Sequence, residues 1–481
     1  MTSPWAQVHN HDLSRQFVGV EFSTIVPRRE RNTSPSAGPE GRLVEDSLDF
    51  LHAGLDELEH QRVWDRGGAY SCLVQCSTKT TSPRLTLLIS DLVIQGFRRL
   101  SIKYRWSTDQ YYDLIRTFQE TRSTFSSDQA TTKESILNQL QFCALPKLHL
   151  QMTNLSHSLK PLGLQKAPES KFEILLDIQS EIETILDLII RRTYILYPEP
   201  TYAVSRADDQ HLKQFKSYRL RILKAKYFET CENISLVFRE AYEVLQKMKH
   251  SPEKFSQLVN TADFPGNRSI DNVFESIEWT IKCIKGNELE VAQNSWQADF
   301  GGIHYSFQQI MTLVNPESYS TTDNQESRSK LSREPVFHLA KLAIPLIKIS
   351  KLFFTKLSKC GLNKTRLPLF TEMASEQIES LANSLGQVTR DIIELGGLLP
   401  KADDGDATGQ DFVKIADKLR SRYEAPLVAL LLYVIPSIPD SDDGFPTQSY
   451  YRTWLVTWNT QRILATVNFI NAAKLLDPNP L

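Results

Sequence analysis

Glycine is in short supply: 19 in 481 residues, about 4% where ~7% is usual. So few glycines leave little material for tight turns or phosphate-cradling loops and favour helices. Charge of one sign is also missing. Lys+Arg is 55 and Asp+Glu is 57, a net charge of −2, which excludes a chain built mainly to neutralise phosphates or to act as an acidic tail. Nucleic acid is therefore not an expected partner. The longest uncharged apolar stretch, residues 425–439, contains Pro426, Pro436 and Pro439. It is too short for a bilayer core of about 30 Å and reads as a buried helix, so no transmembrane segment is expected. The start, Met1-Thr-Ser-Pro-Trp, has neither a basic n-region nor an apolar core, so no secretory signal is expected and the chain is placed in the cytoplasm or nucleus. Six cysteines are scattered without a regular framework; in that compartment they are reduced thiols.

Catalytic signatures are missing as well. There is no Gly-x-Ser-x-Gly, Walker loop, Gly-x-Gly-x-x-Gly or His-Glu-x-x-His, and with them go the commonest sequence pointers to acyl transfer, nucleotide binding and zinc hydrolysis. Asp403-Asp-Gly-Asp406-Ala-Thr-Gly409 invites a calcium-loop reading, but aligning Asp404, Asp406, Thr408 and Gly409 with the loop puts Ile415 where a bidentate Glu is required. It reads as an acidic turn between helices, as does Asp440-Ser-Asp-Asp-Gly444. Cys72 and Cys76 have i, i+4 spacing, but no histidine stands at zinc-ligand spacing from them. His9, His11, His149 and His157 have no partner pattern. No metal site, cofactor or catalytic residue is expected, and the chain is read as non-enzymatic.

What the sequence has is helical periodicity. Val44, Leu48, Leu51, Leu55 and Leu58 step 4-3-4-3, one apolar helix stripe. Further stripes follow over 85–104, 111–125 and 136–159, with capping boxes at Ser107–Gln110 and Thr131–Glu134 and a kink or break at Pro146. Leu175 to Ile189 steps 3-4-3-4, and a single helix is predicted from about His211 to His250, some 60 Å long. Ser251-Pro252-Glu253 restarts a helix, and Ile270 to Ile284 forms the next stripe. The C-terminal block carries helices near 335–360, 373–399, 411–424, 426–438 and 448–475; in the second of these Ile378, Leu381, Leu385, Val388, Ile392, Leu395 and Leu399 keep strict 3-4 spacing. That repetition with short loops is the pattern of antiparallel bundles. The fold class predicted is all-α: two or more elongated antiparallel bundles behind a poorly ordered tail. The expected divisions are a tail over 1–41, in which Val18, Val20 and Phe22 alternate as one short strand, an N-terminal bundle over 42–160, a long-helix middle segment over 172–315 whose helix two bundles could share, and a C-terminal bundle over 335–481. Linkers are expected at 160–171, with Pro161, Gly163 and Pro168, and at 316–334, which is almost wholly polar.

Two local features stand out as candidate surfaces. From His338 to Phe370 there are seven basic residues and no acid. At 100° per residue, Lys341, Lys348, Lys351, Lys356 and Lys359 fall within an arc of about 140°, with Leu342, Leu346, Ile349, Phe353 and Leu357 opposite. Such a face suits an anionic membrane surface or an acidic partner; its plainer reading is the solvated side of a bundle helix. In the second feature, Tyr450 to Trp458, Trp454 and Trp458 share a face at i, i+4. Aromatics at that spacing are more often core than a cofactor or ligand box; an exposed Trp pair would instead be an interface anchor.

The runs Lys351 to Lys359, Leu367-Pro-Leu-Phe-Thr-Glu-Met373, Ile438 to Pro446 and Tyr450 to Trp458 resemble an expanded family of uncharacterised helical proteins of rust fungi, from which no activity transfers. More distantly, the Ile344-Pro-Leu-Ile-Lys348 helix leading to Leu357, followed by the heptad helix Ile378–Leu399, is similar to the C-terminal half of the cyclin-D1-binding protein family. That resemblance covers about the last 150 residues. It implies paired helical bundles of the vinculin and α-catenin kind that work by binding other proteins, and it carries over no ligand or catalytic residue. The function expected is a non-enzymatic helical adaptor or scaffold that binds partner proteins through its bundle surfaces. The first alternative is a peripheral binder of anionic lipid through the Lys341–Lys359 face, and the second is an all-helical enzyme with a cryptic site between helices.

Overall fold

Stripes of apolar residues three and four apart bury themselves only by facing other stripes, and the chain does so around two cores. A computed structural model describes residues 83–105, 132–199, 202–250, 267–315, 331–358, 362, 367–439 and 446–477. Among these the fold is all-α, with no strand. The expected tail and strand, the helix from Val44, the caps at Ser107 and Ser251, Cys72, Cys76 and Cys360, the turn at Asp440, and residues 316–330 of the second linker lie outside the described residues.

The N-terminal core holds α1 (Pro83–Lys103), α2 (Lys133–Gln139), α3 (Leu145–Ser158), α4 (Pro161–Lys166), α5 (Pro168–Leu196), α6 (Ser217–His250) and α7 (Asn267–Lys285). It is built on side chains such as Phe97, Tyr104, Met152, Ile182, Tyr227 and Phe238, all essentially inaccessible to solvent. The cap of α2 is Thr132, whose hydroxyl accepts from Ser135 N–H at 3.2 Å; it lies one residue after the Thr131 predicted. Pro146 does not break the run. It has no N–H to give, and a π turn at Leu140–Ala144 carries the chain from α2 into α3, with Leu145 N–H reaching Leu140 C=O.

The C-terminal core holds α8 (Glu288–Gln293), α9 (Trp296–Val314), α10 (Glu334–Leu357), α11 (Ser375–Asp404), α12 (Gly409–Arg422), α13 (Glu424–Ala429) and α14 (Thr447–Lys474). The predicted stripe Ile378 to Leu399 on α11 is fully buried. Consecutive long helices run antiparallel: Gln293 of α8 meets Leu357 at the end of α10, while Lys348 lies over Phe307 of α9. Parallel neighbours also occur, where the packed helices are not consecutive. On α9 and α11, Gly386 faces Asp299, Gly302 faces Thr389 and Gly396 faces Ile310.

Three expectations need correction. The 160–171 segment is no linker. It folds as α4 and the start of α5, and Leu159 and Leu164 are fully buried in the same core as the helices on either side; prolines at the first turns start helices there. The two cores part inside the middle segment expected over 172–315, at Gly286 between α7 and α8, and Tyr218 near the start of α6 already packs in the C-terminal core. The helix expected from His211 begins at Ser217, because a 3₁₀ turn at Gln210–Phe215 with Lys213 at φ 49° precedes it.

The Asp403–Gly409 turn is structural. Gly405, at φ 91°, ends α11 in the left-handed region, with Gly405 N–H on Ala402 C=O and Asp406 N–H on Lys401 C=O. Asp403 accepts from the N–H groups of Ser332 and Arg333, both at 2.8 Å, and so caps α10 from across the bundle; these bonds outweigh burial and hold its carboxyl below the usual range. Gly409 sits where a Cβ would stand 2.0 Å from the Ala473 carbonyl oxygen, and its N–H donates to Asp477 at 2.9 Å. Gly409→Ala is expected to cost about 1–3 kcal/mol by overpacking backbone against backbone, measured as a lower urea midpoint; an unchanged midpoint would show that α12 and α14 separate freely there.

Candidate functional site

Two arrangements concentrate the chemistry of the chain: a buried polar joint between the cores, and a basic and apolar outer surface formed by α10 and α14.

The joint gathers three connecting segments. Lys216, immediately before α6, and Glu288, the first residue of α8, are each 0% exposed, and their charged ends are 2.5 Å apart. Lys216 Nζ also donates to Thr371 C=O at 2.7 Å. Glu288 accepts from the Thr371 N–H at 3.0 Å and from its hydroxyl at 2.5 Å. A buried ion pair is tolerated when its remaining donors and acceptors are satisfied in this way. Beside it Asp209, 2% exposed, accepts from the Ser217 N–H at 2.7 Å, the Ser375 N–H at 2.8 Å and the Ser375 hydroxyl at 2.6 Å. One carboxylate thus serves the N-termini of two long helices, α6 and α11, one from each core. Burial alone would raise its pKa; the hydrogen bonds from Ser375 and Ser217 outweigh burial and hold it below the usual carboxylate range.

Arg219 completes the joint. Its Nη2 donates to the carbonyls of Cys283, Ile284 and Gly286 at 3.0–3.2 Å, closing the C-terminus of α7, and its guanidinium lies 5.2 Å from the Phe370 ring. Burial lowers its pKa against the pull of Glu288. On the rim, Arg221 pairs with Glu379 at 2.6 Å and Glu376 N–H donates to Arg206 C=O at 3.0 Å. Lys216 and Glu288 are wholly enclosed, so what these groups do is hold the cores in one relation.

Sequence reasoning did not single out any of these residues, since Lys, Asp, Arg and Glu read as solvated positions. The junction itself carried a signal. Gly286 stops one helix, and Asn287-Glu-Leu-Glu290 is a capping box: Asn287 Oδ1 accepts from Glu290 N–H at 2.9 Å, and Glu290 Oε2 accepts from Asn287 N–H at 3.1 Å.

On the outer surface, α10 continues unbroken through Pro345. Its buried side runs through Leu339, Ala343, Leu346, Ile347, Phe353 and Phe354, rotated from the predicted one, so that Leu342 and Ile349 are only half-buried. Lys341, Lys348 and Lys351 are exposed, and among the described residues no carboxylate pairs with them. The predicted arc is not continuous, however. Lys356 is half-buried and donates to the Tyr450 hydroxyl at 2.7 Å, with its Nζ over the Tyr450, Tyr451 and Trp454 rings at 4.8–5.9 Å. It faces α14 instead of solvent. Lys359 lies outside the described residues.

The Trp pair is corrected too. Trp458 is core: it is 4% exposed, its indole N–H donates to Ile349 C=O at 2.9 Å, and its ring packs on Phe353 and Tyr423. Trp454 is half-buried and stacks on Trp458 at 6.5 Å, so neither is a free interface anchor. Instead α14 exposes a different side, with Val456 at 65%, Leu464 at 51%, and Ile463 and Val467 at 47%.

Elsewhere, Arg99 and Lys103 of α1 pair with Glu183 and Asp187 of α5. Burial would raise the Glu183 pKa, but these cations lower it. A shallow groove between α3 and α5 is lined by Gln151, Asn154, His157, Asp177 and Glu181 together with Ile174 and Ile178. His149 packs on Phe274 at 4.6 Å. Cys143, Cys231 and Cys283 are buried thiols, and none of them forms a disulfide. Among the described residues no group of three or more His, Cys, Asp or Glu is placed to hold a metal ion, and no helix is long and apolar enough to cross a membrane.

Comparison with known proteins divides the chain at the same point. Residues 133–285 match a family model described as a domain of unknown function (DUF8723), and residues 287–471 match a second one, also described as a domain of unknown function (DUF8721). The gap between the two matches is the single residue Gly286, where the two cores part. No curated protein matches the chain, and no solved structure matches it.

Proposed function

We propose that the chain is a non-enzymatic helical adaptor of the cytoplasm or nucleus, working without a cofactor and binding other proteins through its bundle surfaces. The observation that carries this reading is the pairing of a locked interior with apolar side chains left outside. The Lys216–Glu288 and Asp209–Ser375 contacts tie one core to the other, so the two bundles present their surfaces in a fixed relation. Outside, Leu88, Leu92 and Ile102 on α1 and Val456, Ile463, Leu464 and Val467 on α14 are each about half or more exposed, and exposed apolar clusters on a helical scaffold mark contact surfaces. The resemblance to partner-binding paired bundles points the same way. Purification of the tagged full chain from its own cells, followed by light scattering on the eluate, is expected to give a defined complex with a stoichiometric protein partner. Recovery of the chain alone would overturn the adaptor reading.

A second reading, contact with an anionic membrane surface, is favoured by one observation: the exposure of Lys341, Lys348 and Lys351 on one side of α10, where each lysine near a charged bilayer is worth about 1 kcal/mol. Replacing all three with Glu is expected to abolish flotation with phosphatidylserine vesicles if this face meets lipid. If neither vesicle nor partner binding changes, the lysines only solvate the helix.

A further inference from the structure

We infer that the solvent side of α14 is the seat of an acidic amphipathic helix supplied by a partner protein. This rests on the adaptor reading and gives it a surface and a partner chemistry.

The first observation is the register of α14. Helices of bundles normally have one apolar stripe, because only one side meets the core. α14 has two. Tyr451, Leu455, Trp458, Phe469 and Ala473 face inward and are buried. About 100–160° around the helix, Val456, Thr460, Ile463 and Val467 step 4-3-4 on the outside, exposed, with Leu464 on their flank. Spacing of 4-3-4 is the seam of a left-handed helix pair. The helix is 28 residues long, about 42 Å, enough for several turns of contact.

The second observation is charge. From Thr447 to Lys474 α14 has no acid and exposes two cations, Arg452 and Lys474; Arg462 is buried, its guanidinium held by Asn459 Oδ1 and Arg420 C=O. Its antiparallel neighbour α10, fixed by the Trp458–Ile349 and Lys356–Tyr450 bonds, carries Glu334 as its one acid, and its exposed Lys348 turns to Phe307 of α9. On the other flank the carboxylates of Asp411 and Asp417 on α12 lie 3.4 Å from Lys414 and Arg420, and Glu424 is exposed at the start of α13. An apolar seam on a helix that has a cation toward each end and no acid is complementary to a helix with leucines at 4-3 spacing and Asp or Glu beside them. A second copy of this chain fits less well, because two α14 seams packed antiparallel bring Arg452 of one against Lys474 of the other. A lipid surface also fits less well, since of the tryptophans of α14, the residues that would anchor at a bilayer interface, Trp458 is turned inward and Trp454 is half-buried against it.

The test uses the full chain and a fluorescent synthetic 24-residue helical peptide with leucines at 4-3 spacing and Glu at most other positions. A twin with Lys in place of every Glu is the control. Anisotropy is expected to show micromolar binding of the acidic peptide and at least tenfold weaker binding of the basic twin. Ile463→Asn with Val467→Asn is expected to weaken acidic-peptide binding at least tenfold with an unchanged melting temperature, since both side chains are exposed. Arg452→Glu with Lys474→Glu, which leaves the apolar seam intact, is expected to reverse the preference between the peptides. Equal binding of the two peptides, or no effect of either double variant, overturns the inference. So does a dimer, or binding to phosphatidylserine vesicles, that these variants abolish while peptide binding persists. If the full chain brings down a stoichiometric partner that the Ile463/Val467 variant still holds, this surface is wrong and the adaptor reading stands. If no partner is recovered at all, the adaptor reading itself has failed.

Discussion

Glu288→Ala is expected to lower the stability of the folded chain by about 3–5 kcal/mol, the cost of leaving one member of a buried ion pair without its counter-charge. The substitution strands the Lys216 ammonium, which has no exposure to solvent, and removes the acceptor for the Thr371 N–H and hydroxyl. Against a typical total of about 5–15 kcal/mol, that is a large fraction. Because the pair joins the two cores, the shape of the transition should also change. Urea unfolding followed by circular dichroism is expected to pass from one transition to two, as each bundle melts on its own contacts. Lys216→Met combined with Glu288→Leu removes both charges together and is expected to recover most of the loss. A Glu288→Ala variant that melts within 1 kcal/mol of the parent, in one step, would show that the pair does not couple the cores.

Asp209→Ala is expected to cost about 2–4 kcal/mol, because one carboxylate supplies the cap of two helices and each cap is worth about 1–2 kcal/mol. The pH dependence follows from its depressed pKa. A carboxyl whose folded pKa lies below its unfolded value of about 3.9 contributes stability that is fully present above that value and is lost as pH falls through the folded one. The gap in urea midpoint between the parent and Asp209→Asn, which keeps one acceptor oxygen but no charge, should therefore be widest at neutral pH. It should close as pH drops below about 4. A gap that stays constant down to pH 2 would mean that the ionised form is not what the two helix ends hold.

The helices were legible because their signal is repetitive. The stripe from Ile378 to Leu399 on α11 is written at every third or fourth residue, and each of its seven side chains is buried. The lysine side of α10 was legible in outline for the same reason. The boundary between the cores was harder to see. Proline and glycine near 160–171 suggested a linker, yet proline in a first helical turn punctuates a continuous core as readily as a boundary. The real boundary, Gly286-Asn287, is marked by one stop and one cap. The joint was not legible at all. Asp209, Lys216, Glu288 and Thr371 come together from segments more than 150 residues apart in sequence, and a charged residue has no local pattern that distinguishes a buried position from a solvated one. The Trp pair was legible in part: Trp458 is core, as aromatics at that spacing usually are. Spacing placed Trp454 and Trp458 on one side of a helix, but α14 is apolar on two sides, and periodicity alone does not say which side meets the core.

The chemistry of the joint also bears on how the two halves are inherited. The family-model matches meet at Gly286, which invites treating the chain as two cassettes free to be recombined. Lys216 belongs to the first cassette, while Glu288 and Thr371 belong to the second; Asp209 sits in the first and Ser375 in the second. Severed at Gly286, the first piece would bare an ammonium and a carboxylate shaped for partners it no longer has, and the second would bare the matching carboxylate and serine. Each half is thus the other's lock. A chain that exchanged one cassette for a stranger's would have to bring both members of these pairs or replace them with matched apolar residues.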